Sequence, residues 1–309
     1  MGPRVVAVTG ATGFVGRRLV PALAARGWRV RVLARNPTIG VWADAAPEVI
    51  VGDLASGAAL TALTDGAEAV IHGAGLIKAR DRTAFFAVNA AGARRVALAS
   101  GARRMVLVSS LAAREPGLSD YAASKRAGEA AAQEVLGERL LVIRPPAIYG
   151  PGDRETLALF QAAGTSPIMP MPDDPGARLA LAHIDEVVDV LVTAVEGSWP
   201  AGTFAVGGAR PAGYGWREIF ATAAAAMGRS PWLAPTPPWL IRGAAAMSES
   251  MGRVRGVPAI FNRGKARELL HPDWSVSPGE LPPGGADPVE LRRGFDDTVA
   301  WYRAQGWLA

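Results

Sequence analysis

Cysteine is absent from the 309 residues, and histidine is nearly so. Without cysteine the chain can form no disulfide bond, no thiolate metal site and no cysteine nucleophile. The three histidines, His72, His183 and His271, stand far apart and show no metal-ligand spacing, so we expect no metal site. Long apolar runs are also missing. None approaches the roughly 18–20 residues that cross a bilayer, so we expect no membrane span.

Lysine is scarce as well, since only Lys78, Lys125 and Lys265 occur among 33 basic residues. The arginines are spread along the chain, and no basic run is interleaved with aromatic residues. The net charge of +5 therefore does not indicate nucleic-acid binding, although a basic surface favours a polyanionic cofactor. An apolar, strand-like run begins within four residues of Met1 and leaves no room for a signal peptide, so we expect a cytoplasmic protein.

A glycine-rich turn near the N-terminus is the first positive signal. The β-branched apolar run at residues 5–8 predicts a buried strand, and Thr9-Gly10-Ala11-Thr12-Gly13-Phe14-Val15-Gly16 leads from it into a helical stretch. Glycines allow the backbone to turn sharply and approach a diphosphate, which the N–H groups of the next helix attract. The spacing is G-x-x-G-x-x-G rather than the commoner G-x-G-x-x-G, but its place between strand and helix predicts a dinucleotide phosphate site. The residues expected to bind the cofactor there are Gly10, Thr12, Gly13, Phe14, Val15 and Gly16.

Strands and helices alternate through the first half of the chain and predict an α/β protein with a Rossmann-type, doubly wound parallel sheet. Six strands are predicted at residues 5–8, 28–35, 49–54, 69–75, 104–110 and 140–145. One helix is predicted from about residue 85 to residue 98 and another over residues 121–136.

Proline and glycine punctuate the chain after residue 153, which is typical of a smaller, irregular lobe. We assign residues 1–155, with about 180–207 returning to the sheet, to the dinucleotide-binding Rossmann domain. About 156–179 and 208–309 form the predicted substrate-binding lobe. Six of the nine tryptophans follow residue 200 and suggest an apolar, aromatic-lined lobe.

Tyr121 and Lys125 are four residues apart, which places a phenol and an ammonium on one face of the predicted helix. An ammonium favours the phenolate, so we expect the tyrosine pKa to fall below its usual value of about 10. Such a tyrosine can pass a proton to or from a carbonyl or alcohol oxygen. Ser109 and Ser110 end the strand before this helix, and a hydroxyl there can bond the same oxygen.

With these motifs in order, the chain resembles the extended short-chain dehydrogenases/reductases. This group includes sugar-nucleotide epimerases, dihydroflavonol-type reductases and 3β-hydroxysteroid dehydrogenases. The resemblance covers residue 5 to about residue 195. It is carried by the glycine-rich turn and then by residues 52–54, 72–75, 88–92, 108–110, 121–125, 144–153 and 183–187.

The resemblance implies a role for each matching residue. Tyr121 would be the general acid/base, and Lys125 its electrostatic partner, which also touches the nicotinamide ribose. Ser110 would orient the substrate oxygen, with Ser109 as the alternate. Asn89 would either help to hold the active-site helix or be a helix-surface amide. Further residues expected to line the cofactor are Asp53 and Leu54 at the adenine, Ala74 and Gly75 at the ribose-phosphate, and Pro145, Ala147 and Ile148 at the nicotinamide amide.

Two features bear on the substrate and the cofactor. Tyr121 follows Ser110 by only 11 residues, whereas sugar epimerases of the group have a longer loop with another tyrosine. The short spacing therefore argues against an epimerase. Ala34 occupies the position of the acidic residue that would bond the ribose 2′-OH of NAD, and Arg35, which suits a 2′-phosphate, comes next. We therefore predict NADP, with the alternative that Arg35 is a surface residue at a strand end.

The sequence predicts an NADP-dependent oxidoreductase that transfers hydride reversibly to a hydrophobic ketone or aldehyde, a small-molecule partner. One alternative is an NAD-dependent nucleotide-sugar epimerase or dehydratase, with Arg154, Arg178 and Arg210 as a diphosphate clamp. Another is a cofactor-binding redox sensor or an accessory subunit of the respiratory complex I type. A homodimer through the helices at Phe85 and Tyr121 would resemble the family.

Overall fold

The computed structural model describes residues 4–37, 42, 45–101, 103–197, 199–255, 261–284 and 287–308. The chain divides into two compact units. The first comprises Met1–Pro145, Val187–Ala205 and Pro282–Gly285, and the second comprises Pro146–Glu186, Val206–Leu281 and Ala286–Ala309. The binding roles assigned above to the two domains stay predictions.

A seven-stranded parallel sheet forms the centre of the first unit. Its strands are β1 (Val5–Thr9), β2 (Arg29–Ala34), β3 (Glu48–Val51), β4 (Ala69–His72), β5 (Arg104–Val108), β6 (Leu140–Arg144) and β7 (Gly202–Ala205). The strand order is β7-β6-β5-β4-β1-β2-β3, so the chain winds outward from β1 in both directions. The predicted Rossmann-type doubly wound fold is confirmed.

Helices pack along the sheet because its strands are apolar on both faces. In β1, Val6, Ala7 and Val8 are all fully buried, and Ala7 belongs to a core shared with Leu60 and Val96 of two helices. Each large apolar side chain so buried contributes about 1.5–3 kcal/mol to folding. The helices labelled here are α1 (Phe14–Ala25), α2 (Gly57–Thr64), α3 (Arg82–Asn89), α4 (Ala91–Ser100) and α5 (Asp120–Leu136).

All six predicted strands are present, but several end earlier than predicted. Strand β4 stops at His72 and strand β5 at Val108, because the residues that follow leave the sheet at its carboxyl edge. The single helix predicted over about residues 85–98 is wrong, since it divides into α3 and α4 at Ala90. The division lies where Gly128 of α5 comes against this segment: a Cβ on Gly128 would be 2.3 Å from the backbone oxygen of Asn89.

The second unit contains short parallel strand pairs and several helices around an aromatic core. The Phe295 ring contacts the rings of Tyr149 and Phe160 edge to face, and Tyr302 packs on Phe160. The strand pairs are Ala147–Tyr149 with Leu181–His183, Ile168–Pro172 with Trp232–Thr236, and Arg178–Leu179 with Asp273–Trp274. The helices are Leu157–Thr165, Trp216–Ala226, Pro238–Arg255, Arg263–Leu269 and Leu291–Ala304, and helix Ile184–Glu196 crosses between the units in sequence.

The tryptophans of this unit divide into two groups. Trp216 is buried, and Trp274, Trp301 and Trp307 pack against the core. Trp232 and Trp239 are instead 66% and 67% exposed, so core packing does not account for them.

Within the described ranges, no helix is both long and apolar enough to cross a membrane. The same part of the chain contains no group of three or more histidine, aspartate or glutamate side chains placed to hold a metal ion.

Candidate active site

The loops after β1 and β4 meet at the centre of the carboxyl edge of the sheet. These strands are neighbours, but their chain connections lead to opposite sides, which makes this point the usual ligand crevice of an open α/β sheet. Gly10 has φ +76°, and a Cβ there would lie 2.4 Å from the carbonyl carbon of Gly73 and 2.5 Å from Ala74 N. Only glycine allows the two loops to approach this closely.

The glycine-rich turn folds back on itself before α1 begins. Gly13 N donates to Gly10 O at 3.0 Å, and a Cβ on Gly16 would lie 2.2 Å from the same oxygen. Gly13 is the N-cap of α1 and has no side chain with which to cap it. The first N–H groups of the helix are therefore available to an anion.

Trp42 stabilises this turn through a contact that the sequence did not indicate. Its indole Nε1 donates to Ala11 O at 3.0 Å, and the side chain is buried. Arg17 fixes the other end of the turn, because its Nε donates to Thr12 O at 2.9 Å. Trp42 lies between predicted strands with no periodic pattern, so sequence alone offered no signal for this contact.

The ends of β2 and β3 carry the residues predicted to meet the adenine half of a cofactor. Arg35 is exposed directly after β2, while Arg31 is held by Glu48 at 3.1 Å. Asp53 follows β3, and its Oδ1 accepts the N–H groups of Ala55 and Ser56 at 2.8 and 3.2 Å. The carboxylate of Asp53 thus closes the turn into α2.

A buried hydrogen bond joins the ends of β1 and β4. Thr9 Oγ1 and His72 Nδ1 are 2.6 Å apart, and Ala74 N donates to Thr9 Oγ1 at 3.3 Å. Burial, with a smaller effect of the Lys125 charge, lowers the pKa of His72 from 6.5 to about 3. His72 is therefore neutral at physiological pH, and it positions the Thr9 hydroxyl that binds the loop carrying Ala74 and Gly75.

Helix α5 positions Tyr121 and Lys125. Ser119 caps the helix by accepting Ala122 N at 2.9 Å, which places Tyr121 in the first turn and Lys125 one turn later. The Tyr121 ring lies 6.2 Å from the Phe85 ring, centroid to centroid. Tyr121 and Lys125 therefore share one face of a capped, ordered helix.

The Lys125 ammonium lies between the end of strand β5 and the loop that follows strand β4. Its Nζ donates to Val108 O at 2.7 Å, at the last residue of β5. A Cβ on Gly75 would lie 3.7 Å from the same Nζ, so the ammonium borders the loop after β4. Burial lowers the pKa of Lys125 from 10.5 to about 8, and the Glu129 carboxylate opposes that shift.

The two adjacent serines have different surroundings. Ser109 Oγ donates to Glu129 Oε1 at 2.5 Å, so its hydroxyl hydrogen is directed to a carboxylate. Ser110 Oγ accepts Ala112 N at 3.2 Å as the cap of a short 3₁₀ turn, which leaves its hydroxyl hydrogen out of that contact. Geometry thus favours Ser110 as the group that meets a substrate oxygen.

Glu129 forms a buried ion pair that sequence reasoning missed. Arg144 Nε and Nη2 bind its two carboxylate oxygens at 2.8 and 2.6 Å, and both side chains are buried. Such a bidentate pair is both strong and geometrically specific. Arg144 ends an otherwise apolar, buried strand. Because a buried charge requires a partner, this arginine was the feature of the sequence that could have predicted an ion pair.

Asn89 joins the loop after β4 to α5. It is buried, its Oδ1 accepts Leu76 N at 2.7 Å, and its Nδ2 donates to Ser124 Oγ at 2.9 Å. Asn89 therefore helps to hold helix α5, as expected, and the helix-surface alternative is wrong; the assignment of α5 as the active-site helix stays a prediction.

Three further predicted residues follow β6 and divide between the two units. Pro145 O accepts Leu111 N at 2.8 Å in the first unit, whereas Ala147 and Ile148 belong to the second unit and pair with Leu181 and Ala182. Their contact with a cofactor stays a prediction.

The three arginines suggested as a diphosphate clamp have contacts within the second unit. Arg154 lies over the Trp307 ring, and Arg178 donates to the backbone carbonyl of Ala177. Arg210 binds both carboxylate oxygens of Glu218 at 2.8 Å.

Comparison with known proteins is consistent with this arrangement. Residues 6–207 match the model of the NAD dependent epimerase/dehydratase family. The chain belongs to this family. The resemblance to extended short-chain dehydrogenases/reductases is thus confirmed, and the chain is an NAD(P)-dependent enzyme of that type.

Individual relatives extend over the whole chain. It is 48% identical over 307 residues to the ceramide reductase of Caulobacter vibrioides (strain NA1000 / CB15N), covering 98% of this chain and 96% of that protein. It is 29% identical over 338 residues to sterol demethylase protein B of Methylococcus capsulatus (strain ATCC 33009 / NCIMB 11132 / Bath), covering 97% and 99%. The structure of Bordetella bronchiseptica WbmG in complex with NAD and UDP has a similar fold, with a TM-score of 0.75, 17% identity and 100% and 97% coverage.

Proposed function

We propose that this family member is a reductase that uses NAD(P)H to reduce a ketone on a ceramide-class lipid to the secondary alcohol. The observation that carries the proposal is the 48% identity to a ceramide reductase along nearly the full length of both chains. A ceramide bears a secondary hydroxyl on its long-chain base, and the corresponding ketone is a hydrophobic carbonyl substrate. That chemistry agrees with the hydrophobic ketone or aldehyde predicted from the sequence.

The residues at the sheet edge fit the dinucleotide. The turn from Gly10 to Gly16 is so tight that a Cβ at Gly10 or Gly16 would overlap backbone atoms, and it leads into a helix start without a side-chain cap. A Cβ on Gly75 would lie 3.1 Å from Asn89 Oδ1 and 3.7 Å from Lys125 Nζ. The residues that would hold the bound cofactor are those of the turn with Asp53, Leu54, Ala74, Gly75, Ser109, Pro145, Ala147 and Ile148. When bound, the nicotinamide supplies the hydride.

Tyr121, Lys125 and Ser110 would supply the remaining chemistry. The Lys125 cation, one helical turn from Tyr121, favours the phenolate and makes the phenol a better proton donor. Ser110 would hold the ketone oxygen with its hydroxyl hydrogen, since its oxygen already accepts a backbone N–H. Tyr121 would then give its proton to that oxygen.

Ala34 and Arg35 support NADP as the preferred cofactor. Ala34 leaves no carboxylate for a ribose 2′-OH, and the exposed Arg35 follows it at the end of β2. The NAD bound in the WbmG structure keeps NAD open as the alternative. Arg35→Ala should weaken NADPH binding at least about tenfold, the scale of one lost charged hydrogen bond, and leave NADH binding nearly unchanged. Equal effects on both cofactors would contradict the assignment.

The function is tested by incubating the purified protein with NADPH or NADH and either a ketone of ceramide or a short-chain ketone. UDP-glucose is incubated separately with the protein and NAD⁺. We expect oxidation of the reduced cofactor with the ceramide ketone, and a loss of about 10²–10⁴-fold in rate for Tyr121→Phe. Tyr214→Phe, in the second unit, is the matched control and should retain activity.

Three outcomes would replace the proposal. Turnover of UDP-glucose alone would favour the epimerase or dehydratase alternative. Tight cofactor binding without Tyr121-dependent turnover would favour the sensor or accessory-subunit alternative. Reduction of only the short-chain ketone would keep the reductase but remove the ceramide assignment.

A further inference from the structure

The helix Pro238–Arg255 presents apolar side chains to solvent. Trp239 and Met247 are 67% and 65% exposed, and Leu240 and Met251 are 46% and 47% exposed. On the other side of the helix, Ala245 is fully buried. A helix of a globular protein normally buries its apolar stripe, so this helix has the reverse arrangement.

The four exposed side chains form one continuous stripe. A residue of an α-helix is turned by about 100° from the one before it, so positions 239, 240, 247 and 251 fall within about 120° of one another. Gly243, Ala244 and Ser250 fill or border the same sector and are exposed as well. We call this stripe, residues 239, 240, 243, 244, 247, 250 and 251, the apolar face. Contiguous exposed apolar surface usually marks a place of interaction.

Basic side chains lie on the helix that carries the apolar face and on the helix that packs against it. Among the described side chains of these two helices, four basic residues stand against two acidic ones, Glu249 and Glu268. Helix Arg263–Leu269 packs against helix Pro238–Arg255, and its Arg263, Lys265 and Arg267 are exposed, as is Arg242. Large apolar side chains flanked by arginine and lysine match the composition of helices that lie in a membrane interface.

We propose that helix Pro238–Arg255 docks this protein on the surface of an anionic lipid bilayer, with the apolar face inserted at the headgroup level. Tryptophan favours that level, and each basic residue near an anionic leaflet adds attraction. The charge argues for a bilayer over a second copy of this chain, because two copies would bring two regions of the same sign together. The inference rests on exposure and charge, not on the proposed substrate.

Vesicle flotation tests the docking surface. The purified protein is mixed with vesicles of phosphatidylcholine alone or with added phosphatidylglycerol, and the bound fraction is measured after centrifugation. We expect binding only with phosphatidylglycerol, and loss of binding at 1 M salt, where the Debye length is about 3 Å. Met247→Glu should reduce binding at least about tenfold, the scale of one lost buried apolar side chain. Leu98→Glu, on α4 and 52% exposed, is the control and should bind like the parent.

The absence of cysteine allows a second, site-specific measurement. Met247→Cys and Leu98→Cys each provide a single thiol for an environment-sensitive fluorophore. We expect anionic vesicles to shift the emission to shorter wavelength for the label at 247 and not for the label at 98. Enzymatic activity plays no part in this readout, so a failed docking proposal and a failed reductase proposal can be told apart.

Three results would overturn the proposal: no flotation with anionic vesicles, equal loss of binding for Leu98→Glu and Met247→Glu, or no emission shift at 247. A concentration-dependent dimer in light scattering that Met247→Glu dissociates, together with no vesicle binding, would assign the apolar face to a second copy instead. Circular dichroism and thermal unfolding of each variant show whether it remains folded, which the exposure of Met247 leads us to expect.

Discussion

The Lys125 ammonium lies 2.7 Å from the backbone oxygen of Val108 and binds the end of β5 to helix α5. This contact holds a positive charge beside the loop after β4, where Gly75 leaves room for it. Burial makes that charge costly, because it lowers the pKa of Lys125 from 10.5 to about 8. The site therefore contains a cation whose burial lowers the stability of the free protein, a cost that fits the role proposed for Lys125.

Lys125→Met should stabilise the free protein at pH 7 and abolish reduction. The folded pKa lies below the unfolded value, so between about pH 8 and 10 the unfolded chain binds more protons and the unfolding free energy rises with pH. The variant lacks this rise and should gain about 3 kcal/mol at pH 7, from a pKa difference of about 2.5 at about 1.4 kcal/mol per unit, less the loss of the bond to Val108 O. Urea unfolding of both proteins at pH 7, 8, 9 and 10 measures the difference. If the unfolding free energies of the parent and of Lys125→Met changed in parallel over this pH range, the prediction would be contradicted.

Glu129→Gln should destabilise the protein by about 3–5 kcal/mol, because it removes the negative charge that the buried Arg144 binds through two nitrogens. Ser109 loses its carboxylate acceptor in the same variant. Glu134→Gln, on the exposed side of the same helix, is the control and should change stability by less than about 0.5 kcal/mol. The double change Glu129→Leu with Arg144→Met should be less destabilising than Glu129→Gln. Urea denaturation of the parent and the three variants measures the order of their stabilities. Equal losses of stability for Glu129→Gln and Glu134→Gln would refute the prediction.

Gly10→Ala should abolish dinucleotide binding. The added Cβ would lie 2.4 Å from the Gly73 carbonyl carbon, and the φ of +76° is unfavourable for alanine, so the two loops must separate. Gly57→Ala is the matched control, because nothing lies within 4 Å of its Cβ position. Isothermal titration with NADPH and NADH measures the effect. Parent-like affinity in Gly10→Ala would show that the close approach of the loops is unnecessary for binding.

His72 should make the protein sensitive to acid. Its folded pKa of about 3 lies below the unfolded value of 6.5, so the unfolded chain takes up a proton below pH 6.5 that the folded protein does not. This group alone lowers the unfolding free energy by about 1.4 kcal/mol per pH unit in that range. His72→Asn should remove that slope between pH 6 and 4.5, and His271→Asn should retain it. Urea unfolding at several pH values compares the three proteins, and identical slopes would exclude His72 as the source.

The sequence by itself determined the parallel sheet, the glycine-rich turn and the helix that carries Tyr121 and Lys125. Each depends on neighbours along the chain: β-branched runs form buried strands, glycines allow a tight turn, and a four-residue spacing puts two side chains on one helix face. The wrong prediction of one helix over about residues 85–98 shows where prediction from neighbouring residues fails. The division at Ala90 lies where Gly128 of a different helix comes against Asn89.

Only the tertiary structure decided which groups meet across long separations. The contacts of Glu129 join helix α5 to the residue after β5 and to the end of β6, and Trp42 reaches the turn at Ala11. The environments of the two serines differ although their sequence contexts are alike. Exposure is equally a property of the fold, since Trp216 is buried and Trp239 is not. Residue type and spacing fix local conformation, whereas burial, ion pairing and solvent contact depend on where the chain returns in space.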